Sequence, residues 1–250
     1  MKDKWTRRVI IKRISGYVII FCLVFLLVLT GFTLYGDRAG NFAVVLKEDK
    51  VKIAACLTKD FASDQTSHFD VPGVEYLSAT TYHALPDSLS QGIGVKNDEN
   101  KKYMAFSFYL LNLTERDINY DILVEITDEL AGTKNENYRP SDALRFLILE
   151  ESELNDELEG NKSLKEDGTV YARQEDSQEG LDELNAANYP EDKVTYFEKG
   201  SEIIQCKENA LALGAVKKYT VVMWLEGYDI SCTNELIGGR LKMQMNICAY

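Results

Sequence analysis

Histidine and carboxylate side chains near position 70 are the first residues whose types could do chemistry. His68, Asp70, Glu75 and His83 lie in one polar stretch, and such side chains are common zinc ligands. The two histidines are the only ones in the chain, and they do not have the spacing of an H-E-x-x-H helix. Because spacing within a loop does not fix a coordination geometry, these four residues are candidate ligands only. We assign no metal, no cofactor and no catalytic residue.

Cysteines are the second group with possible chemistry. Cys56, Cys206, Cys232 and Cys248 lie beyond the N-terminal region and are candidates for disulfide bonds. Four cysteines allow three pairings, and the sequence does not choose among them. One disulfide is expected in an exported protein. The alternative for Cys56 and Cys206, which fall in predicted strands, is a buried free thiol.

A polar loop near the C-terminus joins two alternating stretches. It contains Asp229, Asn234, Gly238 and Gly239, which are residue types that favour turns. No base, ligand set or oxyanion hole is evident in it. The loop is therefore predicted to be a structural turn between two strands.

The elements that must position these residues are predicted to be β-strands. Apolar residues alternate with polar ones in INYDILVEI and RLKMQMNI, which is typical of half-buried strands. In the second stretch, Leu241, Met243, Met245 and Ile247 are expected to face the core, with Arg240, Lys242, Gln244 and Asn246 facing outward. Further strands are expected at Phe42–Leu46, Val51–Thr58, Tyr103–Asn112, Ala143–Glu150, Thr169–Arg173, Glu202–Ala210 and within YTVVMWLEG.

These nine strands predict a mainly β protein with one antiparallel β-sandwich of the jelly-roll or immunoglobulin-like kind. Acidic segments at Glu151–Asp167 and Gln174–Asp192 are interpreted as long surface loops. The net charge of −12 disfavours nucleic-acid partners.

The N-terminal region is strongly apolar. Residues Ile14–Tyr35 form an uncharged run that predicts a transmembrane helix, and the basic residues before it predict a cytoplasmic N-terminus. The run is longer than the apolar centre of a cleavable signal peptide and lacks a clear cleavage site. The expected organisation is a cytoplasmic segment 1–13, an uncleaved anchor 14–35 and an extracellular β-sandwich 36–250, located at the cell membrane.

Several stretches together resemble a known group of proteins. They are GNFAVVL, YMAFSFYLLNLTERDINYDILVEI, DALRFLILEE, DGTVYAR and the ending KKYTVVMWLEGYDISCTNELIGGRLKMQMNI. The chain is similar in these stretches to the single-pass exported β-sandwich proteins of Gram-positive bacteria that are TasA/camelysin-like. The resemblance implies either subunits of extracellular matrix fibres, as in TasA, or a surface metalloprotease, as camelysin is described.

Two functions are therefore expected from the sequence. The favoured one is a non-catalytic cell-surface protein that acts as an adhesive, a scaffold or a matrix-assembly module. Its partners would be the membrane, through Ile14–Tyr35, and a protein or further copies of itself. The alternative is a camelysin-like, metal-dependent surface hydrolase that uses the region of His68 and His83.

Overall fold

The computed structural model describes residues 17–18, 20–27, 42–48, 51–58, 61, 65–74, 76–90, 94–97, 102–152, 168–173, 194–197 and 202–250. The chain divides into two compact units, Met1–Ala39 and Gly40–Tyr250. The first unit contains the described helical residues near the N-terminus. The second contains all of the described strands.

The prediction of a transmembrane helix over Ile14–Tyr35 is wrong. Residues 17, 18 and 20–27 are helical, and the other positions of that range lie outside the described residues. The continuous stretch 20–27 rises roughly 12 Å, whereas the apolar core of a bilayer is roughly 30 Å thick. Among the residues that the structure describes, no helix is long and apolar enough to cross a membrane. The predicted single-pass membrane localisation is corrected on the same ground.

The second unit is mainly β, as predicted, and its described strands form two sheets. One has five strands in the order β10-β6-β12-β1-β3, and the other has seven, in the order β2-β5-β11-β7-β8-β9 with β4 also paired to β5. The strands are β1 (Phe42–Glu48), β2 (Ile53–Cys56), β3 (His68–Val71), β4 (Gly94–Asn97), β5 (Tyr103–Asn112), β6 (Ile118–Leu130), β7 (Leu144–Ser152), β8 (Thr169–Ala172), β9 (Val194–Tyr196), β10 (Glu202–Leu211), β11 (Val216–Leu225) and β12 (Arg240–Ala249).

Each of the nine predicted strands overlaps an observed one, and β5 has the predicted bounds. Three described strands, β3, β4 and β9, were not predicted. The antiparallel prediction also needs correction, because β1 pairs with β12 in parallel and β8 pairs with β9 in parallel. The acidic segments lie mostly outside the described residues, although Glu151 and Ser152 belong to β7.

Short helical turns complete the described part of the domain. Pro140–Ala143 is α-helical, and Tyr82–Ala84, Asp87–Ser90 and Asn234–Leu236 are 3-10 turns. The turn at Asn234–Leu236 begins after Thr233, whose hydroxyl accepts a hydrogen bond from the Glu235 amide. This is the capping that a helix start requires.

The inner faces of the two sheets form one apolar core. Phe42 of β1 lies 5.9 Å from Phe146 of β7, and Phe69 of β3 lies 5.6 Å from Phe106 of β5, measured between ring centroids. Met243, Met245 and Ile247 are buried in this core and Leu241 packs against it, as their alternation predicted. Of the residues expected to face outward, Arg240 is exposed and Lys242 and Gln244 are half-buried, but Asn246 is fully buried.

A second apolar cluster covers the other side of the seven-stranded sheet. Residues 76–90 cross its outer face, and Tyr82, Leu85 and Leu89 pack there against Trp224. The ring centroids of Tyr82 and Trp224 are 6.2 Å apart. This explains why β11 is apolar on both faces, since one faces the inter-sheet core and the other is covered by residues 76–90.

Candidate binding face and buried polar networks

The predicted metal ligands are only partly brought together. His68 Nε2 and Asp70 Oδ1 are 3.0 Å apart on β3, where both side chains are exposed. His83 lies in the 3-10 turn Tyr82–Ala84, which packs on the other sheet. Glu75 lies outside the described residues. In the described part of the chain, no three His, Cys, Asp or Glu side chains are grouped so that they could hold a metal ion.

None of the four disulfide candidates forms a disulfide in the structure. Cys56 is buried beside Phe61 on the outer face of the seven-stranded sheet. Cys206 packs against the core between the two sheets. Cys248 lies on the opposite face of the five-stranded sheet from Cys206, and Cys232 lies in the loop after β11. The expected disulfide is not formed, because the fold holds these cysteines in four separate places.

The residues predicted to form a turn, Asp229, Asn234, Gly238 and Gly239, lie in the connection between β11 and β12. Gly238 has a φ of +85°, which favours glycine, and a Cβ at this position would lie 2.4 Å from Thr133 Cγ2. A Cβ on Gly239 would lie 2.8 Å from Pro140 Cγ. The Gly-Gly pair thus allows this loop to pack closely against residues 133–140.

Asp229 does more than form the turn. Its Oδ2 lies 2.5 Å from Nη2 of Arg145, and both side chains are almost completely buried. Its Oδ1 accepts a hydrogen bond of 2.7 Å from the Ser231 amide. A buried ion pair is costly to break, because the remaining charge loses its partner but does not regain water.

Glu226 is the centre of a second buried hydrogen-bond network. Its carboxylate accepts hydrogen bonds from Trp224 Nε1 at 3.0 Å, from the Tyr82 amide at 3.2 Å and from the Tyr228 amide at 3.3 Å. The hydrogen bond from the Tyr82 amide therefore attaches residues 76–90 to the end of β11. Burial, with the charges of Asp229 and Glu226, raises the pKa of Cys232 to about 11. Cys232 is thus held in its neutral form at neutral pH and is a poor nucleophile there.

Another polar network lies between the sheets. The hydroxyls of Tyr120 on β6 and Tyr219 on β11 are hydrogen-bonded to each other, and Tyr219 also donates to Glu150 Oε2 at 2.8 Å. Lys217 Nζ lies 2.5 Å from Glu150 Oε1. Burial is the main cause of the raised pKa of Tyr219. The bond between Tyr120 and Tyr219 crosses from one sheet to the other, so it links the two sheets, and Glu150 and Lys217 extend the network within the seven-stranded sheet.

The outer face of the five-stranded sheet differs from that of the seven-stranded sheet. Among the described residues, no segment forms an apolar cluster on it like the one that residues 76–90 form on the other sheet. Because alternate residues of β1, β6 and β12 belong to the core, the residues between them face outward. We call these nine residues the open face: Ala43, Val45, Lys47, Asp121, Leu123, Glu125, Gln244, Asn246 and Cys248.

The centre of the open face is ordered by a chain of hydrogen bonds. Gln244 Nε2 donates to Asn246 Oδ1 at 2.6 Å, and Asn246 Nδ2 donates to Glu125 Oε2 at 2.7 Å. Asn246 is fully buried, and the strand registers pair it with Val45 on β1 and Leu123 on β6. The face is therefore a fixed polar surface with small apolar patches.

Charges of both signs lie at one end of the open face. Cys248 has Lys47 beside it on β1 and Asp121 beside it on β6. Asp121 also accepts a hydrogen bond of 3.2 Å from the Tyr250 hydroxyl. Burial is the main cause that raises the pKa of Cys248; Lys47 opposes the rise, and Asp121 and Glu125 add to it.

Sequence reasoning missed Arg145 and Glu226 as members of buried networks. A signal for both was available, because Arg145 interrupts the strongly apolar stretch ALRFLIL and Glu226 directly follows the apolar stretch VVMWL. A charge in such a position needs a buried partner. The open face had no comparable signal, since it is assembled from strands far apart in the sequence.

Comparisons with known proteins give no family for the chain. No protein-family model matches it, and no curated protein or solved structure matches it.

Proposed function

We propose that this protein is a non-catalytic binding module with a scaffold or assembly role, and that it binds a protein partner through the open face. The observation that carries the proposal is the contrast between the two outer faces. Residues 76–90 and Phe61 pack on the seven-stranded sheet, whereas the open face presents ordered polar groups. A sheet face can bind a partner without any catalytic residue.

The dimensions of the face support this role. β1 has seven residues and β12 has ten, which correspond to roughly 23 and 33 Å at about 3.3 Å per residue. With strands about 4.8 Å apart, the three strands of the open face offer roughly 400 Å². A stable protein–protein interface buries about 800 Å² on each partner, so the open face could supply about half of one.

The chemistry of the face favours a protein over a nucleic acid. Lys47 is accompanied by Asp121 and Glu125, and the centre is made of amides and small apolar side chains. Mixed charges and amides suit a protein surface, whereas a nucleic acid requires a concentration of positive charge. The resemblance to TasA/camelysin-like β-sandwich proteins supports an assembly role of this kind and is itself part of the proposal.

The metal-dependent hydrolase stays an alternative hypothesis. Nothing in the described geometry favours it, because His68 and Asp70 lie on β3 while His83 packs with the segment that covers the other sheet.

Site-specific photo-crosslinking tests the proposal. A photoreactive amino acid at Val45, on the open face, should give discrete adducts with a protein in the producing cells. The same amino acid at Leu213 is the control, because Leu213 is 59% exposed but lies in the turn after β10. Adducts at Val45 and not at Leu213 support the proposal. Absence of adducts at Val45, or equal labelling at both positions, refutes it.

A further inference from the structure

We draw no further inference here: the strongest candidate, the exposed apolar surface of the helical stretch 20–27 in the N-terminal unit, carries none because nothing in the described part of the chain shows what covers it.

Discussion

Breaking the ion pair between Arg145 and Asp229 should be far more damaging than breaking an exposed pair of similar geometry. In Asp229→Ala the guanidinium loses a carboxylate at 2.5 Å, in a site where the Arg145 side chain has no exposure. Removing one partner of a buried pair costs about 3–5 kcal/mol, a large part of a typical stability of about 5–15 kcal/mol. Asp229→Ala should therefore leave the domain close to unfolding.

The matched control is Asp70→Ala. Asp70 and His68 are 3.0 Å apart, but their side chains are 68% and 50% exposed. Pairs this exposed contribute roughly 0–1 kcal/mol, so this variant should unfold almost like the parent. A third protein, Arg145→Met with Asp229→Leu, removes both charges and should recover most of the stability, because apolar replacements of buried ion pairs are often neutral or stabilising.

Urea unfolding followed by tryptophan fluorescence is the assay. Trp224 is completely buried and bonded to the neighbouring Glu226, so its emission reports the loss of this region. Trp5→Phe in every protein removes the second tryptophan signal. If Asp229→Ala and Asp70→Ala lose the same small amount of stability, the buried pair does not have the role assigned to it here.

Three further predictions concern the core, the covering segment and the loop thiol. Met243→Asp should unfold the domain by placing a charge in the inter-sheet core, whereas Gln244→Ser should be tolerated; circular dichroism distinguishes them. Glu226→Ala should release residues 76–90, so limited proteolysis should cut there well before global unfolding, and equal resistance to the parent would contradict this. Because the pKa of Cys232 is raised from 9.0 to about 11, its contribution to stability should be complete below pH 9 and be lost as the pH rises through 11. Cys232→Ser should reduce the dependence of the unfolding midpoint on pH in that range, and an unchanged dependence would contradict the assignment.

Strands with strong alternation could be predicted from the sequence because their signal is local. Alternate residues of β12 are buried in the core, so the pattern Leu241, Met243, Met245 and Ile247 determines which face points inward. β3 was missed because it has four residues, two of which, His68 and Asp70, are exposed and polar. The position of β3 is set by its antiparallel pairing with β1, and no pattern within residues 68–71 predicts that pairing.

Long-range contacts account for most of what the sequence did not predict. Asp229 was interpreted as a turn former from its local sequence, but its partner Arg145 is 84 positions away. The open face combines residues from the first, sixth and last strands. At Ile14–Tyr35 a strong local signal led to a wrong prediction, because hydropathy predicted a membrane-spanning helix that the described residues do not form.

The parallel pairing of β1 and β12 has a mechanical consequence. Phe42, where β1 begins, lies beside Met243, while Ala249, where β12 ends, lies beside Glu48. The entry of the first strand and the exit of the last are thus at opposite ends of the pair, roughly 20 Å apart at about 3.3 Å per residue. Tension applied to these two ends would draw the strands past each other and strain all seven residue pairs at once, instead of peeling them apart one by one. Pulled in this direction, the domain should yield only at high force and then in a single step.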